Sequence, residues 1–217
     1  MKAWTLPWAR RLLFASVGLL CACVNPPSSR NVNDPQASAQ SIAVQVCSNC
    51  HGLTGESISP MFPKLSGQQR DYLLAQLADF KGHERSDSRG VQYMWGFTHL
   101  SPKQVEDLAD YFAAQTPMHA VVTVGADINL GKALFEGGAP GEGAVPCTSC
   151  HGAQGEGNGL IPRLAGQHPA YVLEQIKVFQ LTDLRPRGAA MKQVTHALTD
   201  SDARAIAHYI GTLGSRP

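Results

Sequence analysis

Two stretches of this 217-residue chain repeat the pattern C-x-x-C-H, at residues 47–51 (CSNCH) and again at residues 147–151 (CTSCH). This pattern attaches a c-type haem, because its two thiols form thioether bonds with the porphyrin and its histidine binds the iron. The cysteine pairs of a zinc ribbon would lie about 15–20 residues apart. The pairs in this chain are 97 residues apart. The sequence therefore predicts two covalent haems, bound by four thiols: Cys47, Cys50, Cys147 and Cys150.

The histidines of the two motifs, His51 and His151, are predicted to be the proximal iron ligands. A ligating imidazole needs a partner for its second nitrogen, which fixes the orientation of the ring. Pro63 and Pro162 lie 12 and 11 residues after the two histidines. A backbone carbonyl near each proline is the candidate partner.

The sixth iron ligand is predicted to be a methionine in each half. Met191 lies 40 residues after His151, and Met94 lies 43 residues after His51, in corresponding loops between two predicted helices. A thioether ligand favours ferrous iron and leaves no open position for a substrate. This ligand set predicts electron transfer.

Met94 is harder to align than Met191. Leu198 follows Met191 by seven residues, whereas Leu100 follows Met94 by six, so an ungapped match puts Tyr93 opposite Met191. A one-residue deletion in the segment 95–99 restores Met94, which we take as the predicted ligand. His99 and an open iron site are the alternatives.

The internal repeat extends well beyond the haem motifs and indicates a duplicated domain. Residues 63–68 (PKLSGQ) match residues 162–167 (PRLAGQ). Apolar spacing predicts helices over 70–81 and 169–180, and capping residues Ser101 and Thr199 predict a last helix in each half. Helices over 35–46 and 127–136 are predicted to precede the motifs, and no stretch shows strand alternation. The expected fold class is all-α.

The N-terminus has the pattern of a targeting segment. Lys2, Arg10 and Arg11 precede the apolar run 12–23, which is short for a transmembrane helix and typical of a signal peptide. Cys23 resembles a lipidation site, with a soluble secreted protein as the alternative. Without residues 1–22 the chain has 15 basic and 17 acidic residues, so a basic nucleic-acid footprint is absent.

These features predict five segments. They are a signal peptide over 1–22, a flexible tether over 23–33, a first domain over 34–116, a linker over 117–125 and a second domain over 126–217.

The motifs resemble those of class I cytochromes c, and their duplication resembles the two-haem type called cytochrome c-four, or c4. The resemblance covers residues 40–214 and depends on C-x-x-C-H-G, P-x-L-[SA]-G-Q, Y-[LV]-L-x-Q-[LI]-x-x-F and the following methionine. It implies two tandem class I cytochrome c domains, each a small helical fold around one covalent haem. It also implies a bacterial periplasmic, respiratory-chain electron carrier between redox proteins such as a quinol-oxidising complex and a terminal oxidase.

Two other functions stay open on the sequence. A two-haem enzyme, peroxidase-like or thiosulfate-oxidising, would use an open or displaceable site on the first haem and acid–base residues nearby. A subunit or sensor docked on a membrane complex would share the haem chemistry and differ in its partners. The electron carrier without a substrate of its own is the preferred hypothesis.

Overall fold

The computed structural model describes residues 31–97, 99–121, 127–139 and 145–214, and these residues are helical with no named strand. The all-α prediction is confirmed. No helix in the described ranges is both long enough and apolar enough to span a bilayer. The predicted signal peptide, Cys23, most of the predicted tether and residues 122–125 of the predicted linker lie outside the described residues.

Ten α-helices follow one another along the described chain. In the first domain they are α1 (Ala39–Ile42), α2 (Ser48–His51), α3 (Arg70–Lys81), α4 (Ser88–Met94) and α5 (Pro102–Ala113). In the second they are α6 (Ile128–Gly137), α7 (Thr148–His151), α8 (Pro169–Leu181), α9 (Ala189–Thr195) and α10 (Asp200–Thr212). A π-helical turn (Ala43–Cys47) joins α1 to α2, and 3₁₀ turns follow α4 (Trp95–Phe97) and precede α9 (Pro186–Gly188).

Local sequence signals account for the starts of the last helices. Ser101 and Gln104 form a capping box at α5, in which the serine side chain accepts from a backbone N–H and the glutamine side chain accepts in return. Thr199 and Asp202 form the same box at α10. Both predicted helix starts agree with these caps.

The predicted loops around the two methionines are wrong. Met94 is the last residue of α4, and Met191 is the third residue of α9. Both helices have only seven residues, which is too short for an apolar periodicity to stand out in the sequence. Asp87 caps α4 by accepting a hydrogen bond from the backbone N–H of Gly90, a local signal that sequence analysis missed.

Each domain has its own hydrophobic core. In the first, α1 packs against α5 around Ile42, Leu108 and Phe112. In the second, α6 packs against α10 around residues such as Phe135 and Ile210. The two cores are separate, which agrees with the duplication seen in the sequence.

The domains meet through reciprocal hydrogen bonds. The side chain of Gln68 bonds to the backbone N–H and carbonyl of Arg163, and the side chain of Gln167 bonds in the same way to Lys64. Near this pair, His168 Nε2 lies 2.8 Å from the carbonyl oxygen of Ser57. The P-x-L-[SA]-G-Q segments of the two domains therefore contact each other directly.

Candidate haem sites

In each domain the C-x-x-C-H motif forms a helical turn that gathers its three functional side chains. Residues at i, i+3 and i+4 share one face of a helix, and Cys47, Cys50 and His51 have this spacing. The turn ends at Gly52, with φ of 77°, and in the second domain at Gly152, with φ of 82°. A positive φ favours glycine because it has no Cβ, which explains the residue that follows each motif.

The proximal histidines have equivalent surroundings. His51 Nδ1 lies 2.8 Å from the carbonyl oxygen of Pro63, and His151 Nδ1 lies 2.9 Å from that of Pro162. This contact makes Nδ1 the protonated nitrogen and leaves Nε2 free to bind iron. Burial lowers the pKa of both imidazoles, which favours the neutral form that a metal needs.

The thiols of Cys47 and Cys147 are protonated at neutral pH. Burial raises the pKa of Cys47 and of Cys147 to about 11. Within the part of the chain that the structure describes, all four motif cysteines are free of disulfides. They are therefore available to form thioether bonds.

A largely apolar cavity contacts both motifs. Its walls include Leu73 and Phe112 in the first domain and Ile176 and Ile210 in the second. Most of the predicted site residues line it: Cys47, Cys50, His51, Pro63, Met94, Cys147, Cys150, His151, Pro162 and Met191. Such a cavity suits two large, flat, mainly apolar groups.

The alternative ligands for the first iron are placed differently. His99 is exposed and does not line the cavity, whereas Tyr93 lines it beside Met94. Tyr93 packs edge-on against Phe62, with the ring centroids 5.1 Å apart. His83 stacks on the ring of Trp95 and also lies outside the cavity wall.

Two glycines show why the alignment near Met94 is ambiguous. Gly90 faces Phe80, and Gly188 faces Phe179, so closely that a Cβ atom at either glycine would collide with the ring. Met191 is three residues after Gly188, while Tyr93 and Met94 are three and four residues after Gly90. Since i+3 and i+4 share a helix face, α4 brings both side chains to the cavity.

Sequence analysis missed a polar cluster where the cavity crosses the domain interface. Arg85 donates to the Oε1 atoms of Gln76 (2.8 Å) and Gln175 (3.3 Å), and Arg185 donates to the same two oxygens. Arg85 also forms a buried ion pair with Asp87, at 2.7 Å. The signal available in the sequence was the matched pair Gln76 and Gln175, since a glutamine inside an apolar helix face needs a buried partner.

This cluster tests whether a haem suits the cavity. Arg85, Arg185 and Asp87 carry a net positive charge, and Gln175 Nε2 is buried with no hydrogen-bond partner among the described residues. Anionic carboxylates, such as haem propionates, would balance that charge and accept from the free amide. The apolar walls, the thiol pairs and the imidazoles fit the rest of the group, so the residues present suit haem c.

Comparison with known proteins agrees with this geometry. The sequence model of the family "Cytochrome c" matches residues 36–115 and again 128–214. The chain belongs to the cytochrome c family. Its two-domain organisation is c4-like, and it carries two covalently bound haem c groups.

Individual relatives extend over most of the chain. Cytochrome c4 of Azotobacter vinelandii is 38% identical over 184 residues, covering 76% of this chain and 83% of its own. The crystal structure of reduced recombinant cytochrome c4 from Pseudomonas stutzeri aligns with a TM-score of 0.72 and 34% identity, covering 80% of this chain and 96% of its own. The "Thiosulfate dehydrogenase electron acceptor" of Thiomonas intermedia is 30% identical over 212 residues, covering 94% of this chain and 91% of its own.

Proposed function

We propose that this cytochrome c is a two-haem electron carrier without a substrate of its own. The observation that supports this most directly is the cavity wall, where the C-x-x-C-H turn of each domain lies together with its predicted methionine ligand, Met94 in the first domain and Met191 in the second. A histidine and a thioether on each iron leave no open coordination position. The function is then to accept and pass on electrons.

In this proposal the residues have the following roles. Cys47, Cys50, Cys147 and Cys150 form the thioether bonds, and His51 and His151 are the proximal ligands. The carbonyls of Pro63 and Pro162 orient the two imidazoles. Met94 and Met191 are the distal ligands.

Absorption spectroscopy of the ferric protein tests the ligand set. We expect two equivalents of the methionine-sulfur-to-iron charge-transfer band, and no binding of carbon monoxide to the reduced protein. One equivalent together with carbon monoxide binding would favour the two-haem enzyme, peroxidase-like or thiosulfate-oxidising, with an open or displaceable first haem.

The cellular setting of the proposal is the bacterial periplasm. Residues 1–22 would be removed as a signal peptide, and Cys23 would carry a lipid that attaches the protein to the membrane. The domains would extend over 34–116 and 126–217, and both family matches lie inside these ranges. A mass spectrum of the mature protein would count the haems and reveal acylation. A mature N-terminus that lies at another residue and carries no lipid would contradict the lipid anchor at Cys23.

The proposed partners are a quinol-oxidising complex as donor and a terminal oxidase as acceptor. Stopped-flow mixing with each partner would measure electron transfer directly. Failure to exchange electrons with either would contradict this assignment. Co-purification with a detergent-solubilised membrane complex would favour the docked-subunit hypothesis.

The similarity to the Thiomonas protein supports a second candidate donor, a thiosulfate-oxidising enzyme. Two haems would suit a donor that releases two electrons when two thiosulfates are joined. Reduction of this cytochrome by such an enzyme, in the presence of thiosulfate, is the test. Thiosulfate without the enzyme is the control, and reduction there would indicate direct chemistry on the haem.

A further inference from the structure

The two interface glutamines make the same set of hydrogen bonds in opposite directions. Gln68 Oε1 accepts from the backbone N–H of Arg163 at 2.6 Å, and its Nε2 donates to the Arg163 carbonyl at 2.9 Å. Gln167 Oε1 accepts from the backbone N–H of Lys64 at 2.9 Å, and its Nε2 donates to the Lys64 carbonyl at 3.0 Å. Both glutamines are buried, with 5% and 4% of their surface exposed.

Each glutamine oxygen is held in place by a second donor. Gln68 Oε1 also accepts from the backbone N–H of Gln69, and Gln167 Oε1 accepts from that of His168. Gln167 Nε2 has a further weak contact with Met118 Sδ, at 3.7 Å. These contacts fix both side-chain amides in one orientation across the domain interface.

The peptide group that each glutamine contacts also contacts a proximal histidine. The carbonyl of Pro162 and the N–H of Arg163 are two ends of one peptide group. That carbonyl lies 2.9 Å from His151 Nδ1, while the N–H donates to Gln68. A continuous hydrogen-bond chain therefore leads from Gln68 in the first domain to His151 in the second.

An equivalent chain of hydrogen bonds leads from Gln167 in the second domain to His51 in the first. The carbonyl of Pro63 lies 2.8 Å from His51 Nδ1, and the N–H of Lys64, in the same peptide group, donates to Gln167. Each glutamine is thus linked to the histidine of the other domain and not, through this route, to its own.

Such a chain of hydrogen bonds changes how strongly the histidine donates electrons to the haem iron. A hydrogen bond accepted from a peptide N–H polarises that peptide, and each bond in a chain strengthens the next by roughly 10–30%. A stronger bond to Nδ1–H raises the basicity of the imidazole. A more basic imidazole stabilises ferric iron and lowers the reduction potential.

We propose that Gln68 and Gln167 are positioning residues that tune the haem of the opposite domain. Gln68 acts on the second haem through Arg163, Pro162 and His151. Gln167 acts on the first haem through Lys64, Pro63 and His51. The inference rests on the proposed proximal roles of the two histidines.

The test uses the mature two-haem protein with Gln68→Leu and, separately, Gln167→Leu. The two reduction potentials are measured by spectroelectrochemistry, with each haem assigned by NMR. Gln68→Leu should raise the potential of the second haem more than that of the first, and Gln167→Leu should do the reverse. In the reduced protein, the Nδ1–H resonance of the opposite histidine should move upfield, as its hydrogen bond weakens.

Gln69→Leu is the matched control. Gln69 Nε2 donates to the carbonyl of Glu156 across the same interface, at 2.9 Å. The N–H of that peptide group, on Gly157, donates to the backbone carbonyl of His151, so this route does not reach the imidazole Nδ1–H. Loosening of the interface alone would make Gln69→Leu resemble Gln68→Leu. We expect Gln69→Leu to leave both histidine resonances in place.

Gln68→Glu provides a second variant with nearly the same shape, in case the leucine variants do not fold. Its carboxylate cannot donate to the Arg163 carbonyl as the amide does, but it accepts more strongly from the Arg163 N–H, so the His151 Nδ1–H resonance should move downfield. Equal shifts at both histidines, or larger shifts within the mutated domain, would overturn the inference. Failure of the proposed ligand set would be seen separately, as a wild-type spectrum without two histidine–methionine haems.

Discussion

The two domains are nearly identical on the proximal side of their haem sites and differ on the distal side. The distances from His51 and His151 to their proline carbonyls are 2.8 and 2.9 Å. Met94, however, ends α4 before a 3₁₀ turn, whereas Met191 lies near the start of α9 after one. The proximal segment is held by the motif and by the opposite domain. The distal segment also contacts the opposite domain, through Arg85 in the first domain and Arg185 in the second. It has no motif of fixed spacing, however, so its length can differ by a residue.

A second difference lies at the entrance to each haem motif. In the first domain α1 continues through a π-helical turn into α2. In the second domain α6 ends at Gly137, and α7 begins only at Thr148. The helical turn of C-x-x-C-H is the same in both, which indicates that it forms independently of the segment before it.

Removing the thiols of one motif should have the largest effect. We expect Cys47→Ser with Cys50→Ser to leave one haem per chain, and Cys147→Ser with Cys150→Ser to do the same. In the proposed assignment each domain attaches its own haem through its own thiol pair. A pyridine haemochrome assay counts the haems. If either double variant kept two haems that resist acid–acetone extraction, the assignment of one haem to the thiol pair of each domain would be contradicted.

The distal comparison is sharpened by Met191→Ala and Met94→Ala. Each should lower the reduction potential of the haem in its own domain by about 0.1 V, which is a small part of the roughly 0.8 V range that axial ligands span. Each should also allow carbon monoxide to bind the iron of that haem. Tyr93→Phe is the control for the first domain. If Met94→Ala kept both equivalents of the methionine-sulfur-to-iron charge-transfer band, Met94 would not be the distal ligand of the first iron.

Arg85 is paired with Asp87, whereas Arg185, which donates to the same two glutamines, forms no ion pair with the described residues. Asp87→Asn should destabilise the protein by about 3 kcal/mol, since it leaves a buried charge without its partner. Asp107→Asn breaks an exposed pair with Lys103 and should change stability far less, because exposed ion pairs contribute little. Chemical denaturation measures both. Equal losses would mean that Arg85 is compensated by other groups.

The two capping boxes should be energetically equivalent. Ser101→Ala and Thr199→Ala should each reduce the free energy of unfolding by about 1 kcal/mol, because each removes a side-chain acceptor at a helix start. Hydrogen exchange should report the loss in α5 for the first variant and in α10 for the second. Exchange that rises in both domains for either variant would show that the domains unfold as one unit.

The stability of the folded protein should depend slightly on pH because of His168, which lies at the domain interface. Burial lowers the pKa of His168 below its ordinary value of 6.5, so the folded protein binds this proton less readily than the unfolded chain. The stabilisation is complete above about pH 6.5 and declines as the pH falls from there to the folded pKa. His168→Gln should flatten this part of the stability curve. A stability that instead increased on acidification in this range would contradict the sign.

Much of the fold follows from local sequence signals. Helix α3 begins and ends at the residues that apolar spacing predicted, and the caps of α5 and α10 agree with theirs. Helices α4 and α9 were missed because seven residues give little periodic signal. The cluster around Arg85 was also missed, since its partners come from helices in two domains and from no continuous motif.

The sequence alone determined the two haems, the helical class and the duplication, because thioether chemistry requires a fixed local spacing and helices form from local contacts. The tertiary structure alone decided which surfaces of the two copies meet. Gln68 and Gln167 occupy the same place in each repeat, and no spacing along the chain indicates that each one contacts the peptide group beside the other domain's histidine. That pairing depends on how two separate cores pack, which is a matter of three-dimensional shape.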